Sequence, residues 1–212
     1  MDLKIFIRTT GERKLDKSID RELNGNYTLL VDKEHKPIES FINQLRIISD
    51  YDAILLEDDV ILCKDFLKEA TKVIAKWKGL IINFFTNPHK YFTTYLGLGC
   101  FTYNQCTFYP KGVAKEIADI ADKIKRPYNQ YDSLVNLAMH ELDLYHVKYR
   151  PCLVQHIDNG TLIQKSNLNN RRCIWFKDYL DELGMDINNA YTKENQEKLR
   201  ELLDKDFKER MN

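Results

Sequence analysis

Residues 53–56 (Ala-Ile-Leu-Leu) form a continuous apolar run that Glu57, Asp58 and Asp59 follow directly. A short apolar run without alternation is typical of a central strand covered on both faces. Ligands of open α/β sheets bind beyond the carboxyl ends of strands, so we expect the three acids at a ligand site. Their mutual repulsion favours a divalent cation that bridges to substrate phosphates. The alternative is an acidic helix start that complements the helix dipole.

The first sixty residues alternate between strand and helix patterns. Strands are predicted at residues 3–7, 27–31 and 53–56, and helices at 13–23 and 37–49. This alternation predicts a parallel sheet with right-handed crossovers. Further helices are predicted at residues 65–77, 113–123 and 133–142, with strands at 80–85, 100–109, 144–149 and 151–157. The expected fold class is therefore α/β, a Rossmann-type, mostly parallel sheet flanked by helices.

Composition excludes several classes of protein. The 212 residues carry 32 basic and 32 acidic side chains, so no global field draws the chain to nucleic acid or to an anionic membrane. No apolar run is long enough to span a bilayer, and residues 1–7 turn polar too soon for a signal peptide. The five cysteines lack C-x-x-C spacing, which favours reduced thiols in a cytoplasmic protein.

The ends of the first two predicted strands carry residues suited to a nucleotide. Arg8, Thr9 and Thr10 follow the first strand, and Asp32 follows the second. Arginine pairs with phosphate, hydroxyls bond a base or ribose, and an acid after a second strand often meets a ribose. The alternatives are a solvated loop for the first three residues and an ordinary surface turn for Asp32.

Later segments offer fewer constraints. Residues 86–99 are rich in aromatics, threonine and glycine, which favours a loop that covers a site. Basic residues are clustered at positions 123–126 (Lys123, Lys125 and Arg126) and at Arg171 and Arg172. Such clusters are typical of phosphate contacts, and equally of a solvent-exposed surface. The charged, helical stretch after residue 175 carries two apolar sets, which fit packing on the main domain or on a second subunit in a homodimer.

Four motifs occur in an order that resembles the nucleotide-sugar glycosyltransferases of the GT-A fold, particularly small bacterial and phage-type members. They are residues 57–60 (Glu-Asp-Asp-Val), 109–114 (Tyr-Pro-Lys-Gly-Val-Ala), 131–134 (Tyr-Asp-Ser-Leu) and 151–157 (Pro-Cys-Leu-Val-Gln-His-Ile). The resemblance covers residues 1–160, which we expect to be a GT-A-like catalytic domain. Residues 161–212 are then a C-terminal helical extension.

The resemblance implies roles for particular residues. Asp59 matches the acid that binds Mn²⁺ or Mg²⁺ on the nucleotide diphosphate, with Glu57 and Asp58 beside it. His156 matches a late histidine that completes the metal shell or touches the diphosphate; its alternative is an ordinary core or surface histidine. Asp132 matches the base of an inverting transfer, although an aspartate there also suits a helix N-cap. The motif is Glu-Asp-Asp rather than Asp-x-Asp, so which acid contacts the metal stays open.

The implied activity is transfer of a sugar from a nucleotide-sugar, of which a UDP-sugar is expected, to an acceptor hydroxyl. The acceptor is either a glycan or lipopolysaccharide, or a hydroxymethylated pyrimidine in DNA. Two other classes remain open: a metal-dependent phosphohydrolase or nucleotidyltransferase, and a non-catalytic binding module. Walker-type and G-x-G-x-x-G loops are absent, which disfavours kinases and dehydrogenases.

Overall fold

The computed structural model describes residues 2–86, 94–98, 104–124, 131–157 and 172–211. The strands in these residues are β1 (Leu3–Thr9), β2 (Thr28–Val31), β3 (Asp52–Glu57), β4 (Val60–Leu62), β5 (Ile81–Asn83), β6 (Tyr95–Leu98), β7 (Cys106–Tyr109), β8 (Tyr145–Lys148) and β9 (Val154–His156). The helices are α1 (Lys17–Leu23), α2 (Pro37–Ile48), α3 (Phe66–Lys76), α4 (Val113–Ile124), α5 (Tyr131–Glu141), α6 (Lys177–Glu182) and α7 (Lys193–Met211).

Seven of the described strands form one sheet in the order β2-β1-β3-β7-β5-β8-β6. The pairs β1–β2, β1–β3 and β5–β8 are parallel, whereas β7 and β6 run antiparallel to their neighbours. The predicted mostly parallel α/β sheet is confirmed at this level. The parallel pairing predicted for the strands of the first sixty residues is confirmed for β1, β2 and β3. The strand β7, beyond that stretch, is inserted in the reverse direction.

Residues 53–56 of the central strand β3 are all apolar because both faces of the strand are covered there. Ile54 and Leu56 belong to a core shared with helices α1, α3, α6 and α7. Ala53 and Leu55 belong to a second core, shared with α2, α4 and α5. Successive strand residues point to opposite faces, so a strand between two layers of helices needs apolar side chains at every position.

The reversed strand β7 brings its first residues to the edge where β1 and β3 end. Leu56 is the register partner of Cys106, and the Glu57 backbone N–H donates to the Gln105 carbonyl at 3.0 Å. Asn104 and Gln105 are both buried there. The ends of the parallel strands β1 and β3 and the beginning of the antiparallel strand β7 therefore meet at this edge.

A two-stranded sheet extends the same region. After Asp59 the chain turns into β4, which pairs antiparallel with β9 so that Val60 faces His156. The Ile157 backbone N–H donates to the Asp59 carbonyl at 2.7 Å, which continues the pairing past Val60. The pairing therefore holds Val60 and His156 side by side, although they are nearly one hundred positions apart in the sequence. The sequence did not predict β4, because three residues are too few to show a period.

The C-terminal segment packs into the same core as the sheet. Trp175, Tyr179 and Leu199 are buried together with β1, β3 and α3 residues. The boundary predicted at residue 160 lies outside the described residues and stays a prediction. Most of the predicted loop at residues 86–99 lies outside them too, but residues 95–98 form the strand β6 rather than loop. In the described part of the chain, no helix combines the length and apolarity needed to cross a membrane.

Candidate functional site

The three carboxylates of the central stretch lie at the carboxyl edge of β1 and β3. Arg8 and Glu57 are register partners in these two strands, and Asp58 and Asp59 follow immediately. Arg8 and Thr9 are thus strand residues, not part of the polar loop predicted from the sequence. Strand pairing alone therefore places the predicted phosphate-binding residues beside the predicted metal-binding acids.

Asp58 is held by Thr9 and Arg13. The Thr9 hydroxyl donates to Asp58 Oδ2 at 2.5 Å, and the Gly11 backbone N–H donates to that hydroxyl at 2.9 Å. Gly11 has a φ of 82°, which suits glycine, and the chain turns there. Arg13 Nη1 then donates to Asp58 Oδ1 at 3.2 Å. The loop between β1 and α1 thus places the Arg13 guanidinium in contact with Asp58.

Asp59 lies between two cationic or potentially cationic groups. Arg13 Nη1 donates to its Oδ2 at 2.6 Å, and His156 Nε2 is 3.4 Å from the same oxygen. Burial alone would raise the pKa of Asp59, but the interactions with His156 and with Arg13 outweigh it and lower that pKa. Asp59 is consequently ionised at neutral pH. Its other oxygen, Oδ1, is buried without a hydrogen-bond partner in the described part of the chain.

Glu57 belongs to a neighbouring cluster with Arg8 and two aromatic rings. The Tyr131 hydroxyl donates to Glu57 Oε1 at 2.5 Å, and Arg8 Nη1 is 3.7 Å from the same oxygen. The Arg8 guanidinium lies over the rings of Tyr131 and Phe41, at 4.1 and 4.7 Å from their centroids. Burial and the Asp59 charge raise the pKa of Glu57 to about 7, against the opposing effect of Arg8.

Asp132 lies in the first turn of α5, next to this cluster. The Asn104 amide Nδ2 donates to Asp132 Oδ1 at 2.7 Å, and the Tyr109 hydroxyl donates to Asn104 Oδ1 at 3.3 Å. Because Tyr109 donates to the amide oxygen, the amide nitrogen is directed at Asp132. The charge of Asp132 contributes to the raised pKa of Glu57, so the two carboxyls share one electrostatic environment.

Thr10 and Asp32 are the remaining residues that the sequence predicts to bind a nucleotide. The Asp32 backbone N–H donates to the Thr9 carbonyl at 2.8 Å, which places Asp32 beside the end of β1. Its carboxylate accepts from the Lys36 backbone N–H at 3.2 Å, as in the surface turn that was the alternative interpretation. The Thr10 hydroxyl is buried without a hydrogen-bond partner among the described residues.

The structure therefore brings together Arg8, Thr9, Glu57, Asp58, Asp59 and His156, with Asp132 beside Glu57 and Asp32 beside Thr9. Sequence reasoning missed Arg13, Tyr131, Phe41 and Asn104 as site residues. Tyr131 had a usable signal, since it directly precedes Asp132 in the sequence, whereas Asn104 lay inside the strand predicted at residues 100–109. Arg13 was assigned to a helix over residues 13–23, which is wrong. Asp16 caps α1 by accepting from the Ser18 N–H at 2.8 Å, and the helix begins at Lys17.

The donor set suits a hard or borderline divalent cation. Asp58 and Asp59 supply carboxylate oxygens, His156 supplies an imidazole, and Mn²⁺ accepts both ligand types. The buried, unpartnered Oδ1 of Asp59 is an atom that such a cation would satisfy. Across the described residues no group of three or more acids, histidines and cysteines is arranged as a ready-made metal site. Arg13 instead contacts both acids.

Comparison with known proteins gives little beyond this geometry. No protein-family model matches the chain, and no curated protein matches it. Among solved structures, A197 from STIV aligns with a TM-score of 0.49 and 16% sequence identity. The alignment covers 74% of this chain and 86% of that chain. The functional conclusion therefore depends on the side chains at the sheet edge.

Proposed function

We propose that the protein is a metal-dependent glycosyltransferase that moves a sugar from a nucleotide-sugar, preferably a UDP-sugar, to an acceptor hydroxyl. The observation that carries the proposal is the joint placement of acids and arginines at one sheet edge. Asp58, Asp59 and His156 offer metal ligands, while Arg8 on the adjoining strand is the register partner of Glu57, which directly precedes these acids. Binding a diphosphate requires this combination of a cation site and fixed positive charge.

The donor half of the site is assigned to the ends of β1 and β2. Arg8 Nη1 is buried and makes no hydrogen bond within the described residues, so it is available to a phosphate oxygen. The Thr10 hydroxyl is unsatisfied in the same way, and Asp32 is positioned for a ribose. Held by Asp59, Asp58 and His156, Mn²⁺ or Mg²⁺ would neutralise charge on the leaving diphosphate.

The acceptor half is assigned to Asp132. An inverting transfer needs a base that removes the proton from the acceptor hydroxyl as it attacks the anomeric carbon. The Asn104 amide donates to one oxygen of Asp132 at 2.7 Å, which orients the carboxylate. Tyr109 supports Asn104 from the core. A carboxylate oriented by its neighbours supports this assignment, because a general base must be held within hydrogen-bond reach of the proton that it removes.

Two acceptor classes are retained: glycans or lipopolysaccharides, and hydroxymethyl-pyrimidine DNA. The basic residues that suggested DNA give no further support among the described residues. Arg172 stacks its guanidinium on the Phe207 ring at 3.4 Å, and Lys125, Arg126 and Arg171 lie outside the described part of the chain. To distinguish the two acceptor classes, the protein is first incubated with a panel of nucleotide-sugars to find active donors. Each active donor is then incubated with acceptors of both classes, and mass spectrometry identifies the glycosylated product.

The same residues leave a phosphohydrolase or nucleotidyltransferase as the second candidate function, because an acid-bound metal next to arginines also serves phosphoryl chemistry. The products separate the two: a glycosyltransferase releases UDP and free or transferred sugar, whereas cleavage of the diphosphate releases UMP and sugar phosphate. A binding module releases neither. Incubation with UDP-sugars and Mn²⁺, with and without EDTA, followed by ion-exchange chromatography identifies which of these occurs.

Replacing Arg8 with alanine is expected to weaken UDP binding in the presence of Mn²⁺ by about 10- to 100-fold, the effect of losing a charged hydrogen bond. Isothermal titration calorimetry measures this. Arg46→Ala is the matched control, because Arg46 pairs with Asp122 on the surface of α2. Thermal denaturation checks that Arg8→Ala is folded. If the wild-type protein binds no nucleoside diphosphate, the proposed donor site is wrong and a non-catalytic binding module is the better hypothesis.

Replacing Arg13 with glutamine is expected to tighten Mn²⁺ binding by about tenfold, or about 1.4 kcal/mol. Arg13 Nη1 contacts one oxygen of each acid, so it competes with a cation for them. Electron paramagnetic resonance of free Mn²⁺ reports the affinity without any substrate. Arg21→Gln, in the same segment but exposed beside Glu22, provides the control. Equal Mn²⁺ affinity in the two variants would show that Arg13 and the metal do not share the acids.

A further inference from the structure

A second chemically distinctive cluster lies in the core. Cys152 Sγ and Cys173 Sγ are 2.8 Å apart, and both residues are completely buried. Arg150 Nη1 contacts both sulfurs, at 3.1 Å from Cys152 and 2.8 Å from Cys173. The Arg150 guanidinium also lies over the Trp175 ring at 4.7 Å. Two thiols and a buried cation therefore form one compact group.

Backbone and side-chain hydrogen bonds hold the two cysteines in this position. The Cys152 backbone N–H donates to the Trp175 carbonyl, and the Lys177 N–H donates to the Cys152 carbonyl, each at 2.9 Å. The Gln155 side chain binds Cys173 twice, since its Nε2 donates to the Cys173 carbonyl at 2.8 Å and its Oε1 accepts from the Cys173 N–H at 2.9 Å. The contact between the sulfurs is thus imposed by the register of two chain segments.

The two sulfurs are inequivalent. Burial disfavours a thiolate at Cys152, but a hydrogen bond from Cys173 and the Arg150 charge outweigh it and lower the pKa of Cys152 to about 6. Burial and the adjacent Cys152 raise the pKa of Cys173 instead. At neutral pH Cys152 is the thiolate and Cys173 the thiol. Burial raises the pKa of the other two described cysteines, Cys63 and Cys106, so these are the inert type of buried cysteine.

We infer that Cys152 and Cys173 form a redox modification site, in which a small hydroperoxide oxidises the dithiol to a disulfide. Arg150 contacts both sulfurs, and the lowered pKa of Cys152 beside the raised pKa of Cys173 assigns the attack to Cys152. Cys173 is the resolving residue because its sulfur is already in contact with that of Cys152. The buried position selects a small oxidant, since glutathione disulfide is too large to reach either sulfur without opening the core.

The reaction balances in two steps. The Cys152 thiolate attacks one peroxide oxygen, the O–O bond breaks, and hydroxide leaves, so that Cys152 becomes a sulfenic acid. The Cys173 sulfur then attacks the Cys152 sulfur, the S–O bond breaks, and the hydroxyl leaves as water with the proton from Cys173. The hydroperoxide has accepted two electrons and the two thiols have supplied them. The product joins two positions 21 residues apart in the sequence.

Oxidation has a defined structural result. Cys152 directly precedes the turn into β9, and Cys173 directly precedes the segment that leads into α6. A disulfide converts their hydrogen-bonded contact into a covalent link between the sheet region and the C-terminal helices. A thiol reductant reverses the reaction, because the link is an ordinary disulfide.

The inference is tested on the full-length wild-type protein, reduced and then freed of reductant. Hydrogen peroxide is added at neutral pH, samples are quenched in acid, denatured and alkylated with iodoacetamide, and tryptic peptides are analysed by mass spectrometry. We expect a peptide that joins Cys152 to Cys173, 2 Da lighter than the two reduced peptides together, while Cys63 and Cys106 remain alkylated. Dithiothreitol removes the joined peptide.

Three outcomes would overturn the inference: no joined peptide, oxidation of Cys63 or Cys106 at the same rate, or accumulation of Cys152 sulfinic acid without the disulfide. Single variants define the roles. Cys173→Ala should trap Cys152 as a sulfenic acid that dimedone, added together with the denaturant, labels, whereas Cys152→Ala should leave Cys173 unlabelled. Labelling of Cys173 in the second variant would reverse the assignment of the attacking sulfur. Circular dichroism confirms that each variant tested is folded.

Discussion

Replacing Asp132 with asparagine is expected to lower kcat by about 10²- to 10⁴-fold while donor affinity changes little, because general-base assistance is worth that factor. The amide keeps the shape of the carboxylate, so the Asn104 amide can still donate to the side chain at position 132. What the variant loses is proton acceptance at the second oxygen. Steady-state transfer to the acceptor identified in the screen gives kcat, and calorimetry with UDP and Mn²⁺ gives donor affinity.

The helix-cap interpretation predicts a different result, since asparagine caps a helix almost as well as aspartate. The structure places Asp132 within the first turn of α5, which begins at Tyr131. Asp119→Asn is the control, because Asp119 pairs with Lys115 on the exposed face of α4. A near-normal kcat for Asp132→Asn would exclude Asp132 as the base. A retaining mechanism with a different catalytic group would then be the better hypothesis.

Replacing Asp59 with alanine is expected to abolish transfer, with a loss of at least about 10³-fold that corresponds to several kcal/mol of charge stabilisation. The substitution removes the oxygen that Arg13 and His156 share and also the buried oxygen without a partner. Metal removal with EDTA should have the same effect on the wild-type protein. Release of UDP from the active donor measures both.

The alanine variant leaves Arg13 and His156 without their shared carboxylate, so the near-isosteric Asp59→Asn is measured beside it. Circular dichroism establishes that each variant is folded. Asp50→Ala serves as the control, because Asp50 is exposed in the turn that precedes the same strand. If Asp59→Ala turns over donor at the wild-type rate in EDTA, the metal role assigned to the acids is wrong.

Much of the site's location follows from the sequence. The unbroken apolar run at residues 53–56 predicts a strand buried on both faces, and the two cores confirm this. The acids therefore come at a strand end beside the first strand, where Arg8 and Thr9 also lie. These predictions succeed because they depend on local pattern and on the edge geometry of parallel strands.

The remaining features depend on contacts that local pattern does not encode. The reversed direction of β7 leaves no trace in the residues of a four-residue strand. The contact between Arg13 and the acids depends on where α1 begins, and the apolar spacing at Leu15, Ile19 and Leu23 extends the predicted helix too far toward the N-terminus. Asp16 was the better signal, because an aspartate before a helix is a common N-cap.

The reversed strand has a consequence for how the protein can change. Glu57 and Asp59 are fixed by the register of β1, β3 and β4, so an insertion there would displace the acids together with the core. Asn104 stands just ahead of β7, at the same edge of the sheet. Asn104 itself belongs to no strand, so its replacement would change the hydrogen bond to Asp132 without a shift in strand register. In the proposed site, the position of the acids thus depends on strand register, whereas the side chain that orients Asp132 does not.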